Sequence, residues 1–459
     1  MASGPDFDVV VAGGGACGLV AALAAASAGA SVLLVERDPT LRGTTAMSTG
    51  LIPAAGTPDQ AAAGIVDSPE QLAGDILAKS GGRTDAAIVR ALAEGSAETV
   101  AFLRARGVPL SLVTGFLYPG HSVMRMMGTP NRTGEELMAA LAAAAEAADV
   151  TVLSRARLAE PLADADGRVE AAAVERPDGS LEEVRCGALV LACGGFAGSP
   201  AAIARHIPEM AGATMHGHPG NRGDWIGWAE RLGARLADMG SYQGHAGLAA
   251  GHGVPILWPT ITEGGIQVNR AGVRFADESR GYSEQAARVN AQPGGVAFSI
   301  WDARIEQVMA QFDDHRDAHR AGAIVTADSV EALAERLGLP AAALAATLAD
   351  VAERTRTGTP CPFGRTFASR PPLTPPYFAA RVTGALFHTQ GGLAVDTSAR
   401  VLRADGTPFP NLFAGGGAAR GISGPGADGY IAGNGLLAAT GLGRIAGLAA
   451  AACATEAAR

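Results

Sequence analysis

Three glycines and one acid carry the clearest chemistry in this chain. Gly13-x-Gly15-x-x-Gly18 lies where an apolar run ending at Ala12 gives way to an alanine-rich segment. Glu36 follows eighteen residues after Gly18, at the end of a second apolar run. In a strand–turn–helix–strand unit this pattern binds a dinucleotide. Gly13 permits the tight turn, Gly15 lets backbone approach a pyrophosphate, and Gly18 lets helix pack on sheet. The helix, opening with Ala16 and Cys17, offers free N–H groups and the positive end of its dipole to phosphate. Glu36, with Arg37 beside it, is placed to accept hydrogen bonds from the adenosine ribose. The loop Arg42–Thr57 is rich in small and hydroxyl residues and can lay backbone N–H groups along a cofactor without steric cost. Ala192-Cys-Gly-Gly195 ends a third apolar strand and offers the dinucleotide a second glycine pair. A further literal GxGxxG, Gly424 to Gly429, has no strand before it and no acid at the right distance after it, so it reads as a loop. Without a second nucleotide unit, electrons pass between the substrate and a separate acceptor.

The elements that must hold these residues follow from periodicity. At 459 residues the chain is long for one core, and 48 % hydrophobic residues with 62 glycines fit a well-buried α/β enzyme. Residues Pro69 to Arg106 read as two surface helices, and Thr133 to Glu136 as a capping-box helix start. Val150–Ser154 and Val169–Glu175 read as strands joined by an acidic turn. From about Arg235 the chain becomes rich in Gly, His and Trp loops, then helical to about Arg365. A proline-rich connector, Arg370–Pro376, then returns it. The expected fold is therefore α/β, a discontinuous Rossmann-type domain of residues 1–235 and 366–459 with an α+β capping domain, 236–365, inserted. A net charge of −9 without a basic stripe excludes nucleic acid as a partner. Five cysteines lacking CxxC or metal spacing read as reduced thiols. The N-terminus lacks a leader pattern, and the apolar run Gly435–Ala454 is broken by Arg444. The expectation is a cytoplasmic protein without a membrane span.

The N-terminal unit, the GTTAMSTG loop, Ala192–Phe196, the HTQGG of His388–Gly392 and the closing GNGLLAATGLGRIAG together resemble one family over nearly the whole length. It is the FAD-dependent fumarate reductase/succinate dehydrogenase flavoprotein family, which also holds the 3-ketosteroid dehydrogenases. The resemblance implies FAD as the dinucleotide. It implies contacts from Gly43, Thr44, Thr45, Ser48 and Gly50 in the loop, and from Gly194 and Gly195 at the strand end. Gly416, Gly433, Asn434 and Leu436 would contact the cofactor near the C-terminus. Membrane-bound members attach FAD through a histidine in the loop after the acid. None occurs between Arg37 and His121, so FAD is expected to be non-covalent. Gly417 stands where many members carry a flavin-contacting Glu or Asn.

At the substrate positions the sequence departs from the fumarate reductases. The family's proton-donating Arg, four residues after the Glu of RFxNE, corresponds here to Tyr282 after Glu278. The carboxylate-clamping Arg, four residues before the Asn of GGN, corresponds to Tyr430. Leu257-Trp258 falls on the Thr-Glu of the dicarboxylate pocket. Two bidentate cations are thus replaced by phenols, as in the 3-ketosteroid desaturases. That resemblance implies that Tyr282 removes a proton beside a ketone. Tyr430, His388 and backbone at Gly426 would polarise the carbonyl, and Tyr118 would stand as an additional relay tyrosine. The implied activity is desaturation of an apolar cyclic ketone of the 3-ketosteroid kind, with a quinone or similar carrier reoxidising the flavin. Reduction of a small unsaturated acid is the alternative.

Overall fold

The computed structural model describes residues 4–367 and 370–457. The N-terminal Met1–Ser3, part of the stretch read as lacking a leader, lie outside the described residues. The chain forms two compact units. One comprises Met1–Ile207, Gly217–Tyr242 and His388–Arg459, and the other Pro208–His216 and Gln243–Phe387.

The first unit is built on a sheet with strand order Arg400–Leu402, Pro408–Ala414, Leu181–Leu191, Phe7–Ala12, Val32–Val35 and Thr151–Leu153. The last five run parallel, and an antiparallel pair, Arg157–Ala163 with Val169–Glu175, extends from Leu181–Leu191. Val9, Val10 and Val11 are fully buried, as a parallel sheet covered on both faces requires. The helix Ala16–Ser27 is buried from Ala16 to Ala25. Its cover is the final helix, Asn434–Ala457. A Cβ on Gly443 would sit 2.6 Å from Cys17 O, and one on Gly447 only 2.1 Å from Ala21 O. The small residues of the C-terminal run thus exist to bring two helix backbones together. Residues Asn434–Glu456 are long and apolar enough to cross a membrane, with mean hydropathy 1.6, yet 56 % of that window is buried within the protein. Arg444 pairs there with Glu98.

Three helices, not two, fill the segment read as a surface pair: Pro69–Lys79, Ala86–Glu94 and Ser96–Arg104. Gly81 and Gly82, at φ 60° and 69°, end the first, and Asp85 caps the second by accepting from Ala87 and Ile88 N–H. At Thr133 only half the capping box forms. Its side chain accepts from Glu136 N, while the Glu136 carboxylate turns to Asn131 N.

The second unit centres on the long strand Tyr377–Thr389. It pairs with Thr214–Met215, Ala297–Asp302, Ile324–Ala327 and Tyr242–Ala249, and Ile266–Val268 lies beyond Ala297–Asp302. This pairing places the return to the first unit at His388 rather than 366, because residues 377–387 complete the inserted sheet. Ile266, Val268, Phe298 and Ile300 pack with Leu333, Leu344 and Leu348 into its core. Glu278, 1 % exposed, accepts from Arg274 Nε and Arg365 Nη1, each at 3.0 Å. Burial would raise its carboxyl, but Arg365 and Arg274 outweigh that and hold it low. The triad anchors the turn that opens the helix Tyr282–Asn290.

Candidate active site

Glycine backbone shapes the dinucleotide cradle. Gly13 (φ 109°) turns so tightly that a Cβ there would lie 2.4 Å from Ala192 O, and one on Gly18 would lie 1.7 Å from Gly13 O. Beside Gly15, by contrast, the nearest atom to such a Cβ is Thr45 Oγ1 at 3.8 Å. The helix N-terminus at Gly15 has no side-chain cap and no acid in its first turn. Thr45 Oγ1 accepts from Ala16 N at 3.3 Å. Glu36 is fixed by Gly14 N (2.6 Å) and Asp38 N (2.8 Å) on its two oxygens, which leaves acceptor capacity for ribose hydroxyls. A glycine at the N-cap, an acid-free first turn, a glycine turn and an anchored carboxylate fit a dinucleotide with its pyrophosphate on the helix.

The other cofactor residues expected from the sequence lie in the same unit. Arg37 donates to Gly220 O. Thr44 Oγ1 accepts from Asn221 Nδ2 at 2.7 Å, and Ser48 Oγ donates to Thr45 O at 2.7 Å. Gly43, Gly50, Gly194, Gly416 and Gly433 all take positive φ. A Cβ on Gly195 would lie 2.1 Å from Thr389 Oγ1, and one on Gly416 2.9 Å from the Cys17 Cβ. Leu436 is half-buried in the first turns of the final helix. Cys17 and Cys193 are thiols pushed up to about 12, first by burial, and are therefore inert.

Two of the expected carbonyl-binding groups meet in this unit. The His388 ring lies 5.9 Å from that of Tyr430, edge to face. Burial pushes His388 down to about 4, so the ring is neutral rather than a cation. Gly435 makes room for it, since a Cβ there would lie 2.9 Å from Nε2. A buried relay stands behind the ring. Asn434 Nδ2 donates to Ser423 Oγ (3.2 Å), Ser423 Oγ to Gln390 Oε1 (3.2 Å), and Gln390 Nε2 reaches His388 Nδ1 at 3.4 Å. Nδ1 also faces Thr389 O at 3.3 Å, while Nε2 lies beside Gly435. Gln390 and Ser423 were not singled out in the sequence. The Gln within HTQGG was the available signal. Gly426 sits in the turn before Ala427–Gly429, its carbonyl 3.4 Å from Ser241 Oγ.

Tyr118 has a packing environment. Its ring meets Phe116 at 4.7 Å, against Leu51, Val113, Met126 and Ala432. Its turn supports the loop that carries Tyr430. A Cβ on Gly120 would lie 2.9 Å from Ile431 Cγ1, and His121 Nε2 donates to Ala432 O at 2.8 Å.

In the second unit, Tyr282 opens its helix inside an aromatic cluster drawn from five distant segments. His245 lies 5.2 Å from it and Trp258 6.1 Å, while Phe387 stacks on His245 at 5.0 Å and meets His216 at 4.8 Å. His245 Nδ1 accepts from Gly247 N at 3.1 Å. Burial, with His216 adding to it, pushes His245 down to about 3. Arg280, two residues before Tyr282, is exposed. The rings around Tyr282 are thus those of His245 and Trp258.

A model of an FAD-binding-domain family matches residues 8–436. The chain belongs to that family. Its dinucleotide is FAD. A fumarate reductase (cytochrome) of Shewanella frigidimarina is 31 % identical over 97 % of this chain and 78 % of its own length. Among solved structures, an open flavocytochrome c3 fumarate reductase superposes with a TM-score of 0.82 at 29 % identity, covering 98 % of this chain and 79 % of that one. The 3-ketosteroid-Δ4-(5α)-dehydrogenase of Rhodococcus jostii RHA1, solved with 4-androstene-3,17-dione, superposes at 0.76 with 27 % identity and 98 % of both chains covered. The flavoprotein is an FAD-dependent oxidoreductase of the class that interconverts CH–CH and C=C bonds.

Proposed function

We propose that this flavoprotein desaturates a cyclic ketone of the 3-ketosteroid kind, introducing a C=C bond beside the carbonyl. The observation that carries the reading is Tyr282, set among His245, Trp258 and Phe387, where a dicarboxylate-handling relative would need cationic clamps. A phenol in an apolar aromatic wall suits a ring, not fumarate.

In this reading Tyr282 takes the proton from the α-carbon. The Tyr430 hydroxyl, with backbone at Gly426, or His388 polarises the carbonyl oxygen as enolate charge grows, an electrostatic stabilisation that strengthens toward the transition state. Bound FAD supplies the acceptor for the hydride that leaves the β-carbon. One proton and one hydride are lost, and the C–C bond becomes C=C. The relay from Asn434 through Ser423 and Gln390 holds the His388 ring in place. Turnover would require a quinone or similar carrier to take up the two electrons.

Anaerobic mixing tests this directly. Cyclic ketones should bleach the bound flavin and succinate should not, and fumarate should not reoxidise the reduced enzyme. Rapid fumarate turnover with no response to ketones would replace the proposal by the reductase reading that the Shewanella relative's name favours.

A further inference from the structure

Within the inserted unit, a cluster that takes no part in the redox chemistry brings metal-ligating atoms to a point. His315 and His319 stand four residues apart on the helix Asp313–Arg320, so both imidazoles leave the same face. Glu306 meets them from the preceding helix, Ala303–Met309. Its Oε1 lies 2.8 Å from His315 Nε2 and 2.6 Å from His319 Nε2. The three donor atoms fall within 4.8 Å of one another.

We propose that Glu306, His315 and His319 form a binding site for a divalent transition metal, with zinc as the fitting ion. Two imidazoles and one carboxylate are a zinc donor set, and soft-ligand or all-oxygen metals are poorly served by it. The carboxylate is already aimed. Fully buried Trp301 donates its indole N–H to Glu306 Oε2 at 2.7 Å, which turns Oε1 toward the two rings. His315 is buried, and its Nδ1 has no hydrogen-bond partner, so its ring is fixed through Nε2 alone. His319 is exposed and leaves a fourth coordination position open to water. At metal–ligand bonds of about 2.0–2.2 Å, tetrahedral neighbours stand about 3.4 Å apart. The present spacings reach that value by side-chain movements of under about 1 Å. The ion would staple the two helices across the turn at residues 310–312.

The test uses the flavin-loaded protein, stripped with EDTA and titrated with zinc chloride against a chromophoric zinc indicator. One tight equivalent is expected, accompanied by a rise in the thermal midpoint. His319→Ala removes an exposed side chain and Glu306→Gln keeps the shape of the acid, so both should fold. Each should weaken zinc binding by at least about tenfold and abolish the thermal rise. Wild-type protein that binds zinc no better than either variant would overturn the proposal. So would tight binding that both single variants retain, since the ion would then sit elsewhere.

Discussion

Replacing Tyr282 by Phe tests the proposed proton transfer at a single oxygen. The ring keeps its contacts with His245 at 5.2 Å and Trp258 at 6.1 Å. What is lost from the fold is one half-buried hydroxyl, about 0.5–1.5 kcal/mol. What is lost from the reaction is the base, typically two to four orders of magnitude, or roughly 2.7–5.5 kcal/mol in the barrier. Neither His245 nor His388 is an adequate replacement base. His245 is held at about 3 with Nδ1 already accepting from Gly247 N, and His388 is held at about 4. Both histidines are therefore neutral throughout the neutral and alkaline range and add no limb to the pH profile there. A phenol ordinarily ionises near 10, so the wild-type rate should climb with pH as the phenolate forms. The Phe variant should lose that climb. The assay is anaerobic single-turnover bleaching of the flavin by a ketone that bleaches the wild type, followed across pH. A Tyr282→Phe enzyme within a few-fold of wild type, or one that keeps the alkaline climb, would remove Tyr282 from the mechanism.

Three other perturbations read the rest of the molecule. FAD should leave with the supernatant on acid precipitation, and Glu36→Ala should weaken its binding by about 1.5–3 kcal/mol, the worth of a charge-assisted hydrogen bond; flavin fluorescence titration reports the second, and unchanged affinity would clear Glu36 of ribose binding. His121 is 6 % exposed and pushed down to about 4, first by burial. As pH falls from about 6.5 to about 4, the unfolded chain takes up a proton that the folded one refuses, so stability drops by roughly 1.4 kcal/mol per pH unit. Denaturant melts of His121→Gln should show a shallower acid loss by about one proton. Gly447→Val sets a side chain against Ala21 O, where even a Cβ would lie 2.1 Å away; a lowered melting midpoint with loosened FAD is expected, and an unchanged one would mean that the helices separate freely.

The strand–turn–helix–acid unit was legible because every interaction in it is local: the glycines, the helix and Glu36 lie within thirty residues. The inserted unit was legible in kind but not in outline. Its sheet is closed by Thr214–Met215 and by residues 377–387, and such pairings between remote segments leave no periodic trace. The same reason hid the aromatic wall. His216, His245, Trp258, Tyr282 and Phe387 come from five stretches of chain, and none carries a local signature. Tyr282 and Tyr430 stood out only by register with the family's arginines. Gln390 drew no notice because a lone Gln between Thr and Gly is an ordinary loop residue until Ser423 and Asn434 are seen behind it.

The backbone-to-backbone seat of Asn434–Ala457 on Ala16–Ser27 has a consequence for how the molecule is made. The phosphate-binding turn is encoded at Gly13–Gly18, yet its helix is covered by Asn434–Ala457, which is synthesised long after it, and the strand Pro408–Ala414 joins the same sheet late. A nascent chain must therefore carry an apolar, alanine-lined surface uncovered until that later helix has been made, a state prone to wrong association. Closing so long a loop is slow compared with local folding. Cofactor capture is thus expected to be a late event, and flavin supplied during refolding should raise the yield of native protein by trapping the docked helices.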